Sequence, residues 1–326
     1  MINSQSFFDL PQDVQIKELE LFGRVILQEY PVEVLEVKSI NFGYNATMKV
    51  TTVTGTSYAL RININSPRTA ENLKAEIAWV HFLAEDGRVN VPVPIKNREG
   101  EFFTSVFHEP SQRILNCVLY SWLDGEELGD EPTDEQLKKL GAAMAILHLS
   151  SKTFELPAGC ALPSLKDPMW ETEPYLLSAE NVLDAEAREL IAQAIDMIRN
   201  ETERLFSLST PQVIHADLHG WNVMWNQDEV SLFDFDDCGI GTPLQDLATA
   251  IYYLDTPEQD EALKAGYSSV APLPDFSSRD MEMLLLQRRI ILLNYLYVTS
   301  SEEHRAMIPD YQIETLRRIR VFLNLE

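Results

Sequence analysis

Three early segments alternate apolar and polar positions in the manner of half-buried strands: VEVLEVKSI from Val32, NATMKVTTV from Asn45 and SYALRINI from Ser57. Thr54-Gly55-Thr56 supplies a turn between the second and third, so the run predicts an antiparallel sheet. Ser66-Pro67 then reads as an N-cap with proline at the first helical position. It predicts a helix through about Glu85 whose buried face carries Leu73, Ile77, Val80 and Ala84. VPVPIKN, FFTSVFH and CVLYSWL read as further strands.

After Leu123 the period changes from two to that of a helix. Thr133 and Gln136 form a capping box ahead of a stripe of Leu137, Leu140, Met144 and Leu147. Asp184 caps a helix to about Leu205, and MEMLLLQRRIILLNYLYV and YQIETLRRIRVFL predict two more. One interruption stands out: Val223 to Trp225 and Val230 to Phe233 read as a hairpin about Asn226-Gln227-Asp228. The pattern predicts a bilobal α+β protein. Residues 1–118 form an N-terminal antiparallel sheet lobe with one main helix, 119–126 a hinge, and 127–326 a larger, mostly helical lobe, with a ligand cleft between the lobes.

Composition narrows the partners. Fifty-one acidic against 26 basic residues give a net charge of −25 over 326 residues. Such a field repels nucleic acid and anionic membranes, so neither is expected as a partner. No run reaches the length of a membrane helix, the first residues lack a basic and apolar leader, and a cytoplasmic location is expected. Cys117, Cys160 and Cys238 are too few and too scattered for a disulfide framework.

The chemistry concentrates in VIHADLHGWNVMW, Val213 to Trp225. His215 and His219 have the i, i+4 spacing of a zinc protease, but without the glutamate between them or the helix that motif requires. A serine hydrolase would need GxSxG, which is absent. His-x-Asp-Leu-x-x-x-Asn repeats the spacing of a kinase catalytic loop, with Asp217 as base and Asn222 as Mg²⁺ ligand. That motif needs partners. Asp234, at the end of the hairpin in Asp-Phe-Asp, supplies a second metal carboxylate. Arg61, in the strand YALRI, supplies a cation for nucleotide phosphates, and Glu76 projects from the helix to hold it. Asn41 to Asn45, with Gly43 and Asn45, supplies a loop for the phosphates, although it carries a single glycine.

With HADLHGWN, FDFDDCGIGTPLQDLA and the Leu-Gly-x-x-Met-Ala-x-Leu-His segment ending at His148, the chain resembles the aminoglycoside phosphotransferase family of kinase-like enzymes, which includes choline kinases, homoserine kinase type II and a bacterial stress response kinase. The resemblance implies a protein kinase-like fold, ATP and Mg²⁺ as cofactors, and transfer of the γ-phosphoryl group to the hydroxyl of a small molecule. It implies Asp217 as catalytic base, Asn222 and Asp234 as metal ligands, and Arg61 with Glu76 at the nucleotide phosphates. Backbone groups near Tyr120 to Leu123, with Ser121 and Leu123, would bind adenine. His215 would brace the catalytic loop, Asp246 would anchor it, and His148 reads as a core histidine. Arg289 is a candidate to reach the cleft.

The chain departs from the family where Arg61 replaces lysine, Trp221 replaces glycine, and the phosphate loop is glycine-poor. The acid-rich segment Leu123 to Gln136 could receive a cationic amine, but its last acids occupy the first turn of a capped helix, where negative charge is favourable anyway, and it reads as solvated surface. A protein Ser/Thr kinase and a nucleotide-binding pseudoenzyme stand as alternatives.

Overall fold

The computed structural model describes residues 6–299 and 301–325. These fall into two compact units, one built from the chain up to Asp124 with Pro157–Cys160, the other from Gly125–Leu156 and the chain from Ala161 onward.

The first unit opens with a helix absent from the strand-based reading above, α1 (Gln12–Ile26). Its Leu19, Phe22, Gly23 and Ile26 are buried at i, i+3, i+4 and i+7, the stripe of a helix lying on a core. The sheet follows: β1 (Val34–Phe42), β2 (Ala46–Thr52), β3 (Ser57–Ile62), β4 (Thr104–His108) and β5 (Arg113–Ser121). All pairings are antiparallel, in the order β1-β2-β3-β5-β4. Met48, Val50, Leu60, Ile62, Cys117 and Leu119 join the α1 stripe in one buried cluster.

Helix α2 (Ala70–Asp86) starts three residues later than Ser66-Pro67 predicts. Thr69 and Asn72 cap each other reciprocally, which satisfies two amide donors and fixes the start there. VPVPIKN is not a strand. Pro92 and Pro94 each lack a donor, so the segment only accompanies β5 through Val93 and Ile95.

In the second unit, β6 (Glu126–Glu127) precedes α3 (Asp134–Ser151) and α4 (Ala185–Leu208), whose caps at Thr133 and Asp184 are those read from the sequence. Then come β7 (Gln212–Ile214), the hairpin β8 (Val223–Asn226) and β9 (Glu229–Leu232), β10 (Gly239–Gly241), and helices α5 (Pro243–Tyr252), α6 (Pro257–Ser268), α7 (Ser278–Val298), α8 (Glu302–Ala306) and α9 (Ile308–Phe322). The hairpin turns on two residues, Gln227 and Asp228, both at positive φ, as a type I′ turn requires. Helices α3 and α6 cross at backbone distance. A Cβ at Gly141 would stand 2.0 Å from the Leu263 carbonyl oxygen, and one at Gly266 2.0 Å from that of Lys138. No helix among the described residues is long and apolar enough to cross a membrane.

Candidate active site

The loop between β7 and β8 is shaped by one carboxylate. Asp246, fully buried in the first turn of α5, accepts from the amides of His215 (3.0 Å) and Ala216 (2.6 Å) and from His148 Nε2 (2.9 Å). Burial alone would raise its carboxyl pKa, but the hydrogen bond and charge of His148, with His215, hold it below the ordinary range. His148 Nδ1 in turn meets the Tyr267 hydroxyl at 2.9 Å, so this histidine is a satisfied core group. Ala216 is thereby held at φ 68, a conformation costly for a residue with a Cβ.

His215 locks the next step of the chain. A carbonyl oxygen can only accept, so the 3.0 Å contact from Nε2 to Phe233 O places a proton on Nε2. Nδ1 then accepts from the Asp217 amide at 3.3 Å. Both ring nitrogens are committed, which rules this histidine out as a zinc ligand in this arrangement. Burial pushes its pKa down, in keeping with a neutral ring.

Asp217 is presented by this brace with its side chain 20% exposed, and its two oxygens face different neighbours. Oδ2 accepts from Asn222 Nδ2 at 3.1 Å and lies 3.5 Å from His219 Nε2. The Asn222 amide nitrogen also donates to Asp217 O at 2.7 Å, which leaves its oxygen as the group to offer a cation. On the chain's return, the Phe233 amide donates to Asn222 O, so Asp234 follows directly from a residue bonded to Asn222. Asp234 sits at φ 63. Asn222 and Asp234 are oxygen donors of the kind Mg²⁺ takes, and the residues present fit that ion.

Oδ1 of Asp217 is paired with Arg288 of α7 through Nη2, which also donates to the Tyr253 hydroxyl at 2.7 Å. Burial would raise the Asp217 carboxyl, but Arg288 and then His219 outweigh it and hold the group well below the usual carboxylate range. Arg288 takes the place that the sequence assigned to Arg289. The latter instead donates to Thr315 Oγ1 at 3.1 Å and stacks on Tyr311, tying α7 to α9.

The acid-rich segment is only partly solvated surface. Glu126 and Glu127 are exposed, and Asp134 and Glu135 lie in the first turn of α3. However, β6 adds to the β8 edge, the Gly129 amide donates to Gly220 O, and Asp130 accepts from the Trp221 indole at 2.7 Å. Trp221 stays 48% exposed and fastens the segment to the loop that carries Asp217.

In the first unit, Arg61 on β3 and Glu76 on α2 pair at 2.6 Å, 7% and 4% exposed. Tyr120 donates to the other Glu76 oxygen at 3.3 Å. Gly43 and Asn45 lie in the loop between β1 and β2, stitched by Asn65 to Gly43 O and Tyr44 O. Ser121 ends β5 with its amide on Val93 O and its hydroxyl accepting from Val93 N, and Leu123 follows the strand.

The sequence model of the phosphotransferase enzyme family matches residues 36–280. Amicoumacin kinase of Bacillus subtilis (strain 168) is 26% identical over 211 residues, 63% of this chain and 60% of that protein. A homoserine kinase of Sinorhizobium medicae (strain WSM419) is 27% identical over 236 residues, 70% of this chain and 64% of its own. The chain therefore spans somewhat under two thirds of these curated relatives. Among solved structures, a microcompartment-associated aminopropanol kinase superposes with a TM-score of 0.77 at 25% identity, covering 93% of this chain and 97% of that one.

Proposed function

Because this chain belongs to the phosphotransferase enzyme family, we propose that it transfers the γ-phosphoryl group of ATP, with Mg²⁺, to a hydroxyl of a small molecule. The observation that carries this reading is the set Asp217, Asn222 and Asp234, with Asn222 donating to Asp217 and accepting from the amide of Phe233, the residue that precedes Asp234.

In this reading Asp217 accepts the hydrogen bond of the acceptor hydroxyl, aims its oxygen at the γ-phosphorus and takes its proton as ADP departs. The neutral His215 ring and Asp246 keep Asp217 in place without competing for that proton. Arg61 holds the α and β phosphates, with Glu76 fixing its guanidinium. Gly43 and Asn45 would serve the phosphates, and the backbone of Ser121 and Leu123 would serve the adenine. Asn222 and Asp234 would hold Mg²⁺, which would supply positive charge to the phosphates. Most of the acceleration then comes from positioning and charge, with no covalent enzyme intermediate.

ATP with Mg²⁺ should raise the melting temperature, ATP alone should do so less, and Asp234→Ala should lose the Mg²⁺-dependent part. Differential scanning fluorimetry reads all three. A Mg²⁺-independent shift that survives in the variant would remove Asp234 from the site.

A further inference from the structure

Arg288 is an expensive residue to bury on a catalytic-type aspartate. It is 5% exposed, yet among the described residues the hydrogen bonds of its guanidinium run from Nη2 alone, to Asp217 and to Tyr253. Its Nε is buried with no acceptor, although a guanidinium carries donors on all three nitrogens. Trp170, whose ring lies 5.6 Å from that guanidinium, is 7% exposed, and its indole Nε1 is likewise a buried donor without an acceptor. An unmet buried donor costs free energy, and two such donors on a guanidinium and the indole packed against it point to an anion that would complete them.

The surroundings of Trp170 are built to hold it. Trp170 and Glu171 both sit at positive φ, 54 and 60. Asp167 Oδ1 accepts from the amides of Met169 and Glu171. The Gln245 and Gln287 side chains donate to Leu165 O and Pro168 O, which pins the segment to α5 and α7. Strained backbone over-determined by side chains on two helices is a feature of sites that hold a group in place.

The two oxygens of Asp217 decide which anion. Oδ2 faces Asn222, on the side of the proposed metal, whereas Oδ1 faces Arg288. A phosphate held with the metal belongs on the Oδ2 side, so the donors around Oδ1 are left to the acceptor. We infer that Arg288, with Trp170, selects acceptors that carry a carboxylate a few bonds from the hydroxyl to be phosphorylated. Such a carboxylate takes the guanidinium in a charge-assisted pair and releases Oδ1 to the hydroxyl. An amino alcohol without a carboxylate leaves Arg288 on the base. The inference rests on the phosphotransfer reading, with Asp217 as base.

The test uses the full-length chain and isothermal titration with matched ligands: 3-hydroxypropanoate and homoserine against 3-aminopropan-1-ol and propane-1,3-diol, with inorganic phosphate as a further probe. The two carboxylates should bind roughly 10- to 100-fold more tightly than the carboxylate-free compounds, the range for charge-assisted hydrogen bonds. Arg288→Gln should bring that ratio near one, Arg288→Lys should retain part of it, and Trp170→Phe should reduce it several-fold while keeping the ring. The lysine and phenylalanine variants carry the test if the glutamine variant does not fold. Equal binding of all four organic ligands overturns the inference, as does tight binding of phosphate alone. A loss of ATP affinity in Arg288→Gln with the carboxylate preference intact would move Arg288 to the phosphate machinery and overturn it too. The ATP–Mg²⁺ melting shift, measured alongside, separates the two claims. Its presence without carboxylate binding sinks only this inference. Its absence with Arg288-dependent carboxylate binding sinks the phosphotransfer reading and, with it, the acceptor role, leaving Arg288 as a carboxylate-binding group only.

Discussion

Asp217→Asn should lower phosphoryl transfer by about 10²- to 10⁴-fold, the usual worth of a positioned general base, while ATP–Mg²⁺ still raises the melting temperature. The amide can keep a contact with Asn222, so the loop geometry survives, but it cannot take a proton. It also leaves the buried Arg288 without its charge partner, and some loss of stability should accompany the loss of rate. Single-turnover transfer at saturating ATP, read beside the melting shift, separates the two effects. Near-native transfer would remove Asp217 from the chemistry. The pH dependence carries a sign as well. Because the folded carboxyl is held below its usual range, the Asp217 carboxylate is ionised throughout the neutral region and is lost only as pH falls through that depressed value. The acid limb of kcat/KM from this group should therefore lie below the ordinary carboxylate range.

Asp246→Ala should cost about 3–5 kcal/mol, a large share of the roughly 5–15 kcal/mol available to a typical domain. The substitution strips acceptors from the amides of His215 and Ala216 and from His148 at once, in a site without solvent. It also removes what holds Ala216 in its left-handed conformation, so transfer should fall even where the variant is still folded. Urea denaturation reads the stability. The folded pKa of Asp246 is depressed, so its contribution is fully present above the unfolded carboxyl value of about 4 and is lost as pH falls through the folded one. The variant should accordingly show a shallower acid limb of stability than the wild type. Equal stability at neutral pH would mean that other groups hold the loop.

What could be read from the chain beforehand was mostly local. The caps at Thr133 and Asp184 and the hairpin around Gln227-Asp228 each depend on residues within a few positions, and each lies where the sequence puts it. The Arg61–Glu76 pair was legible because strand and helix periods both aim side chains. Helix α1 is equally legible, since Leu19, Phe22, Gly23 and Ile26 spell its stripe ahead of the strands that follow. Arg288 was not. Helix α7 is buried on most of its circumference, so it lacks the amphipathic stripe that sets a helix's phase, and one residue is a rotation of about 100°. Trp170 lies in a loop whose path is set by Gln245 and Gln287, distant in sequence and without a periodic signal. The Trp221–Asp130 bond escaped for a similar reason, being made across 91 positions.

The crossing of α3 and α6 reaches further than its location suggests. Gly141 lies seven residues before His148 on α3, and Gly266 directly precedes Tyr267 on α6, so the histidine and the hydroxyl it meets ride on the two helices that touch there. The gap between those backbones acts as a gauge block for His148, and through Asp246 for the turn at Ala216. One methyl group inserted at the crossing would widen that gauge and detune the loop that carries Asp217 from a distance, with every residue of the loop unchanged.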